Sequence, residues 1–150
     1  MQKEAKARIK INNLLKESGW RFEDNDKGKA NIQLESGIKY SELGDDFEHE
    51  VHGFIDSLLL DKDGRALVVI EAKRESIDPL SAKEQARNYA RNVGARFVIL
   101  SNGNIHYLWD TKHGNPDTIS RFPTQDSTTQ YDSHWNRINI FNRRNNQEVA

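Results

Sequence analysis

The sequence contains no cysteine, so it can form no disulfide framework, zinc–thiolate site or cysteine nucleophile. That composition fits a reducing compartment. No apolar run approaches the length that a bilayer demands. The opening residues, MQKEAKARIK, lack the apolar region of a secretory signal. A cytoplasmic location without a membrane partner is the expectation. An excess of charge of one sign is also missing. Lys plus Arg number 22 against 23 Asp plus Glu, so net charge gives no footprint of a polyanion. A contact of that kind would have to come from a local basic patch, and RINIFNRR at residues 137–144 is the best candidate. No G-x-S-x-G is present, which leaves serine hydrolysis without support. No G-x-x-x-x-G-K-[ST] is present, so the chain has no ATP-binding loop of its own. His49 and His52, in HEVH, do not have the His-Glu-x-x-His spacing of zinc peptidases. There is no internal repeat and no low-complexity segment.

What is present suffices for one domain. A chain of 150 residues buries roughly two-thirds of its unfolded surface. Residues 2–17 are good helix formers, with Ile11, Leu14 and Leu15 at helical spacing and Ala7 a turn earlier. Ser18-Gly19 ends that helix, and Trp20 and Phe22 pack back on the core. Residues 23–50 read as a long polar loop with at most one short strand near Ile32–Leu34. Two strands follow at 53–60 and 65–73, around an Asp-Gly turn at residues 61–64. A helix over 79–93 opens on Pro79, carries a stripe of Ala82, Ala86, Tyr89, Ala90 and Val93, and closes at Gly94. Phe97–Leu100 is wholly apolar and so an interior strand, Asn102-Gly103 turns the chain, and 105–110 returns. From Thr111 onward the sequence reads as loop. The predicted order is α-loop-β-β-α-β-β, an α/β fold.

The segment GFIDSLLLDKDGRALVVIEAK, residues 53–73, places charges inside aliphatic strands. Side chains alternate along a strand, so Leu67, Val69, Glu71 and Lys73 should share one face and Ala66, Val68, Ile70 and Ala72 the other. If the four-residue turn sets the register, Leu60 pairs with Arg65 and Asp56 falls opposite Val69, diagonal to Glu71 at about 7–8 Å between backbone positions. Two such carboxylates can converge on one ion, with Lys73 beside it. Carboxylates without His or Cys suit a hard ion, Mg²⁺ or in its place Mn²⁺. Such an ion lowers the pKa of a water for in-line attack on phosphorus, and a lysine can orient that water or stabilise the developing charge. The set matches metal-dependent phosphodiester hydrolysis. The plain alternative is an exposed ion pair at a strand end.

The order α-β-β-α-β, with an acid in one strand and Glu-x-Lys in the next, resembles the PD-(D/E)XK nuclease superfamily. The chain is more narrowly similar to the N-terminal nuclease domain of the R (restriction and motor) subunit of type I restriction enzymes. That resemblance rests on ESGWRFE, LVVIEAKRES, AKEQARNYA, FVILSNG with IHYLWD, and HGNPDTISRFPT, and covers about residues 4–125. It implies a restriction-endonuclease-like core, a central mixed sheet flanked by helices. It implies that Asp56 and Glu71 bind metal and Lys73 is catalytic. Gln85 and Tyr89 match the Gln-x-x-x-Tyr motif that accompanies the core, and Glu4 falls where a first-helix acid supports the metal site, with Arg8 one turn on. Ile55 stands where the superfamily has its proline. Arg74 is a candidate phosphate contact, and Glu75 is expected to be solvated.

The activity so implied is Mg²⁺-dependent endonucleolytic cleavage of double-stranded DNA, a type I site-specific deoxyribonuclease reaction. ATP-driven translocation would then belong to the intact subunit, and methylation and specificity subunits would be partners. The 150 residues would be one nuclease domain at the N-terminus of a longer chain. Two rival readings stand beside it. One is a nuclease-like module of a restriction or helicase protein that binds DNA or partner subunits without cutting. In the other the charged strand is a structural interface.

Overall fold

The computed structural model describes residues 2–34 and 57–130, with the side chains of residues 2–5 and 34 outside that description. Helix α1 (Gln2–Glu17) is followed by β1 (Ile32–Leu34), β2 (Ser57–Leu60) and β3 (Ala66–Ala72). A short 3-10 turn (Pro79–Ala82) leads into α2 (Lys83–Val93), and β4 (Phe97–Ser101), β5 (His106–Asp110) and β6 (Asp117–Ile119) complete the series. The strands form one six-stranded sheet in sequential order β1 to β6. β3 and β4 are parallel and every other neighbouring pair is antiparallel. The sheet is mixed because α2 carries the chain back between β3 and β4, as a crossover between parallel strands requires.

Helices cover both faces. On one, Ile11 and Leu15 of α1 pack with Leu59, Val68, Ile70, Ala72, Phe97 and Ile99. On the other, Ala82, Ala86 and Ala90 pack with Leu58, Val69, Val98, Leu100 and Trp109. Strands covered on both sides must be apolar throughout. β4 (FVILS) meets that demand and is buried along its whole length, as expected of an interior strand.

Most predicted elements occur where the sequence places them, and the differences have physical causes. The helix over 79–93 begins as a 3-10 turn, whose start Asp78 caps by accepting a 3.0 Å hydrogen bond from the Leu80 N–H. Gly94 ends α2 in the left-handed conformation at φ +80°. The stretch after Thr111 is not all loop. It contributes β6, and residues 125–130 are helical. The turn at residues 61–64 holds through the Asp61 carboxylate, which accepts from the Asp63 and Arg65 N–H groups at 2.9 Å each.

The register around that turn differs from the expected one. Leu60 pairs with Ala66, Leu59 with Val68 and Leu58 with Val69, so Leu67 is left over as a β-bulge. The bulge breaks the alternation. Leu67 packs with Val68 on the α1 side, not with Val69 on the α2 side. Leu58, and not Asp56, is the residue opposite Val69.

Candidate functional site

Glu71 is the anchor of the site. It lies one residue from the end of β3, in a strand flanked by β2 and β4, and is 0% exposed. Its Cα partner on β4 is Leu100. Val69 packs on the α2 side and Ile70 and Ala72 on the α1 side, so alternation directs Glu71 toward α2. Removing a carboxylate from water costs several kcal/mol unless cations or donors compensate. An acid held there at the carboxyl end of a central parallel strand is placed where open α/β sheets bind ligands.

Lys73 follows at the strand's exit, half-buried, and its backbone N–H donates to the Ser101 carbonyl at 2.8 Å. The exit loop is fixed by Asn102, which the sequence marks only as part of a turn. The buried Asn102 side chain donates to the Glu75 carbonyl (3.2 Å) and the Ile77 carbonyl (3.0 Å) and accepts from the Asn104 and Ile105 N–H groups (3.0 and 2.8 Å). Both its donors and its carbonyl are thus engaged. The Asn-Gly pair signalled the turn, but nothing local signalled that its amide would also hold residues 75–77.

Glu75 is not simply solvated. Lys10 of α1 reaches it at 3.0 Å and also donates to the Asn104 side chain at 2.8 Å. The hydrogen bond and charge of Lys10 hold the Glu75 carboxyl below the usual carboxylate range. Gly103 completes this junction at φ +92°. A Cβ there would stand 3.1 Å from the Cα of Ala7, so α1 rests directly on the turn between β4 and β5.

The remaining predicted residues divide. Arg74 is exposed. On α2, Gln85 is exposed, and Tyr89 is half-buried against the cluster of Ala86 and Ala90. Both lie on the helix that covers the Glu71 face. The backbone of Glu4 belongs to α1, but its side chain, like the whole of Asp56, lies outside the described residues. So do His49, His52 and residues 137–144. Arg8 is buried in α1. On the α1 side of the sheet, Ser101 and His106 are joined by a 2.7 Å hydrogen bond, with Phe122 edge-on to the imidazole at 5.1 Å between ring centres. Burial lowers the pKa of His106.

A carboxylate in a chain without cysteine is chemistry for a hard divalent ion. Among the described residues no group of three or more His, Asp or Glu is placed to hold a metal ion. Among them, too, no helix is long and apolar enough to cross a membrane.

Fold and site together define a mixed α/β domain with a buried acid at the end of a central strand, consistent with a restriction-endonuclease-like core. The chain belongs to the family described as type I restriction enzyme R protein N terminus (HSDR_N), whose profile matches residues 22–123. No curated protein matches the chain. Among solved structures it is similar to a fragment from Vibrio vulnificus YJ016 assigned as an HsdR subunit of a type I restriction enzyme, with a TM-score of 0.55 and 24% identity. That likeness, which shows the fold, covers 85% of this chain and 24% of the length of the other.

Proposed function

We propose that the chain is the Mg²⁺-dependent DNA-cleaving domain of a type I restriction R subunit. The observation that carries the reading is Glu71, wholly buried in the centre of the sheet and followed by Lys73, in a chain of this family. A buried acid at that position costs folding energy, and its retention is explained if its work is to hold a cation.

In this reading Glu71 and Asp56 hold Mg²⁺ or Mn²⁺, with Glu4 as a further acid. Asp56 directly precedes Ser57, and Ser57 pairs with Ile70, the neighbour of Glu71. Bound there, the ion supplies Lewis-acid polarisation of the phosphodiester and offsets the negative charge that builds as water attacks. Lys73 orients the water or stabilises charge on the phosphorane; the Ser101 carbonyl holds its backbone N–H, and Asn102 holds the loop that follows. Gln85 and Tyr89 support the site from α2, and Arg74 contacts a phosphate. The polypeptide acts in the cytoplasm with double-stranded DNA and with methylation and specificity subunits. ATP serves the motor of the intact subunit.

Two measurements test this. Titration with Mn²⁺ should show binding to the wild type and its loss in Asp56→Ala and Glu71→Gln. Equal binding by all three sinks the assigned site. Plasmid nicking in the intact R subunit with Mg²⁺ should vanish in Lys73→Ala while metal binding persists, and full nicking by that variant removes Lys73 from the chemistry.

A further inference from the structure

The surface cations of α2 do not follow a solvated pattern. Lys83, Arg87 and Arg91 recur every fourth residue, about 6 Å apart along the axis. Each comes one position after the buried stripe of Ala82, Ala86 and Ala90, so the cations occupy one flank of the helix. Gln85 and Tyr89 occupy the other. Two of the cations converge on one ring. The Lys83 ammonium lies 4.9 Å and the Arg87 guanidinium 5.9 Å from the centre of the Trp109 ring. Trp109 is held in turn by an indole N–H bond to the Gly114 carbonyl at 3.0 Å, and Lys83 reaches the Asn115 side chain at 3.3 Å. Lys112 is exposed in the loop that carries Gly114 and Asn115.

This arrangement opposes local preference. Like charges at i and i+4 repel, and a cation at the first position of a helix meets the positive end of its dipole. The acids nearby offset only part of the charge. Glu84 is paired with Arg87. Asp110 is held by the Arg96 guanidinium through bonds of 2.9 and 2.7 Å. Asp78, at the cap of the 3-10 turn before Lys83, and Asp117, at the start of β6, are exposed. Trp109 lies on β5, two strands from the Glu71 strand, so this row is a surface distinct from the candidate metal site.

We propose that Lys83, Arg87, Arg91 and Lys112 form a phosphate-backbone track for nucleic acid, with Trp109 as the platform that fixes its first two cations. The proposal rests on the reading of the chain as one that acts on DNA and adds a binding surface to it. Such a track carries no sequence information. It positions a duplex by charge, and its affinity falls with salt.

The test is the salt dependence of binding to a short fluorescein-labelled duplex, followed by anisotropy with the full chain. Each of Lys83→Gln, Arg87→Gln and Arg91→Gln should flatten the slope of log K against log salt by about 0.9. Glu84→Gln should tighten binding. Arg91 is exposed at the end of α2, so its variant keeps the fold even where changes beside Trp109 disturb it. Slopes that stay at the wild-type value in the Arg91 and Lys83 variants overturn the track. So does a loss of affinity for poly-glutamate without one for the duplex, which would mark a surface for an acidic protein. Glu71→Gln separates the two readings. Failure of the metal site leaves these slopes unchanged, and failure of the track leaves Mn²⁺ binding unchanged.

Discussion

At the residue scale a buried ion pair and an exposed one differ in what they contribute. Arg96 and Asp110 are 6% and 9% exposed and meet through two hydrogen bonds, tying the entry of β4 to the end of β5. Removing one member of a buried pair leaves the other uncompensated at a cost of about 3–5 kcal/mol. Asp110→Ala should therefore lose stability of that order in a chemical denaturation series, whereas the exposed pair of Lys62 and Asp126 at 3.2 Å should contribute under about 1 kcal/mol. Trp20 offers a smaller test. Its indole N–H donates to the Pro123 carbonyl at 2.8 Å, so Trp20→Phe should cost about 1 kcal/mol of unfolding free energy by leaving a half-buried acceptor unmet.

At the element scale the contact that matters is the seat of α1. An apolar stripe places Ile11 and Leu15 on the sheet, but the helix is held along its axis by polar contacts at the turn between β4 and β5. Gly103 is required there twice over, by a φ of +92° and by the 3.1 Å approach of its absent Cβ to Ala7. Gly103→Ala should destabilise the protein by about 1–3 kcal/mol through strain and displacement of α1. Amide exchange should show the loss in α1 and in residues 73–78 before it reaches β4. If exchange rises uniformly, α1 is not the element held by this turn. The bulge at Leu67 acts on the same scale. By turning Leu67 to the α1 side it sets the parity of everything after it in β3, including the face that Glu71 occupies.

At the scale of the whole molecule, two groups make stability depend on pH in separate windows. Burial lowers the folded pKa of His106 below its ordinary value of about 6.5. The unfolded chain then binds the proton first as pH falls, so this contribution is complete above about 6.5 and is lost on acidification below it. Glu75, lowered by Lys10, contributes above its ordinary value of 4.5 and loses that contribution as pH falls through its folded value. Thermal midpoints should fall first between neutrality and mild acid, and His106→Gln should remove that step alone. A step that survives in the variant would assign it to another group.

The sequence by itself determined the element order from α1 to β5, the interior character of FVILS, and the turns at residues 61–64 and 102–103. These follow from short-range rules, namely side-chain parity, helical spacing, and the conformations open to glycine. Local rules could not supply the leftover residue at Leu67, because a bulge arises where a turn and a sheet register meet. They missed β6 for a similar reason: a three-residue strand exists only because β5 offers it an edge. Nor could they show Lys10 reaching Glu75 or Asn102 holding residues 75–77, since those partners are brought together by the crossover and by the docking of α1. The acid of the candidate site is thus written in the chain. Its complete burial is a property of the sheet, which places apolar strands on both sides of Glu71 and a helix against its face.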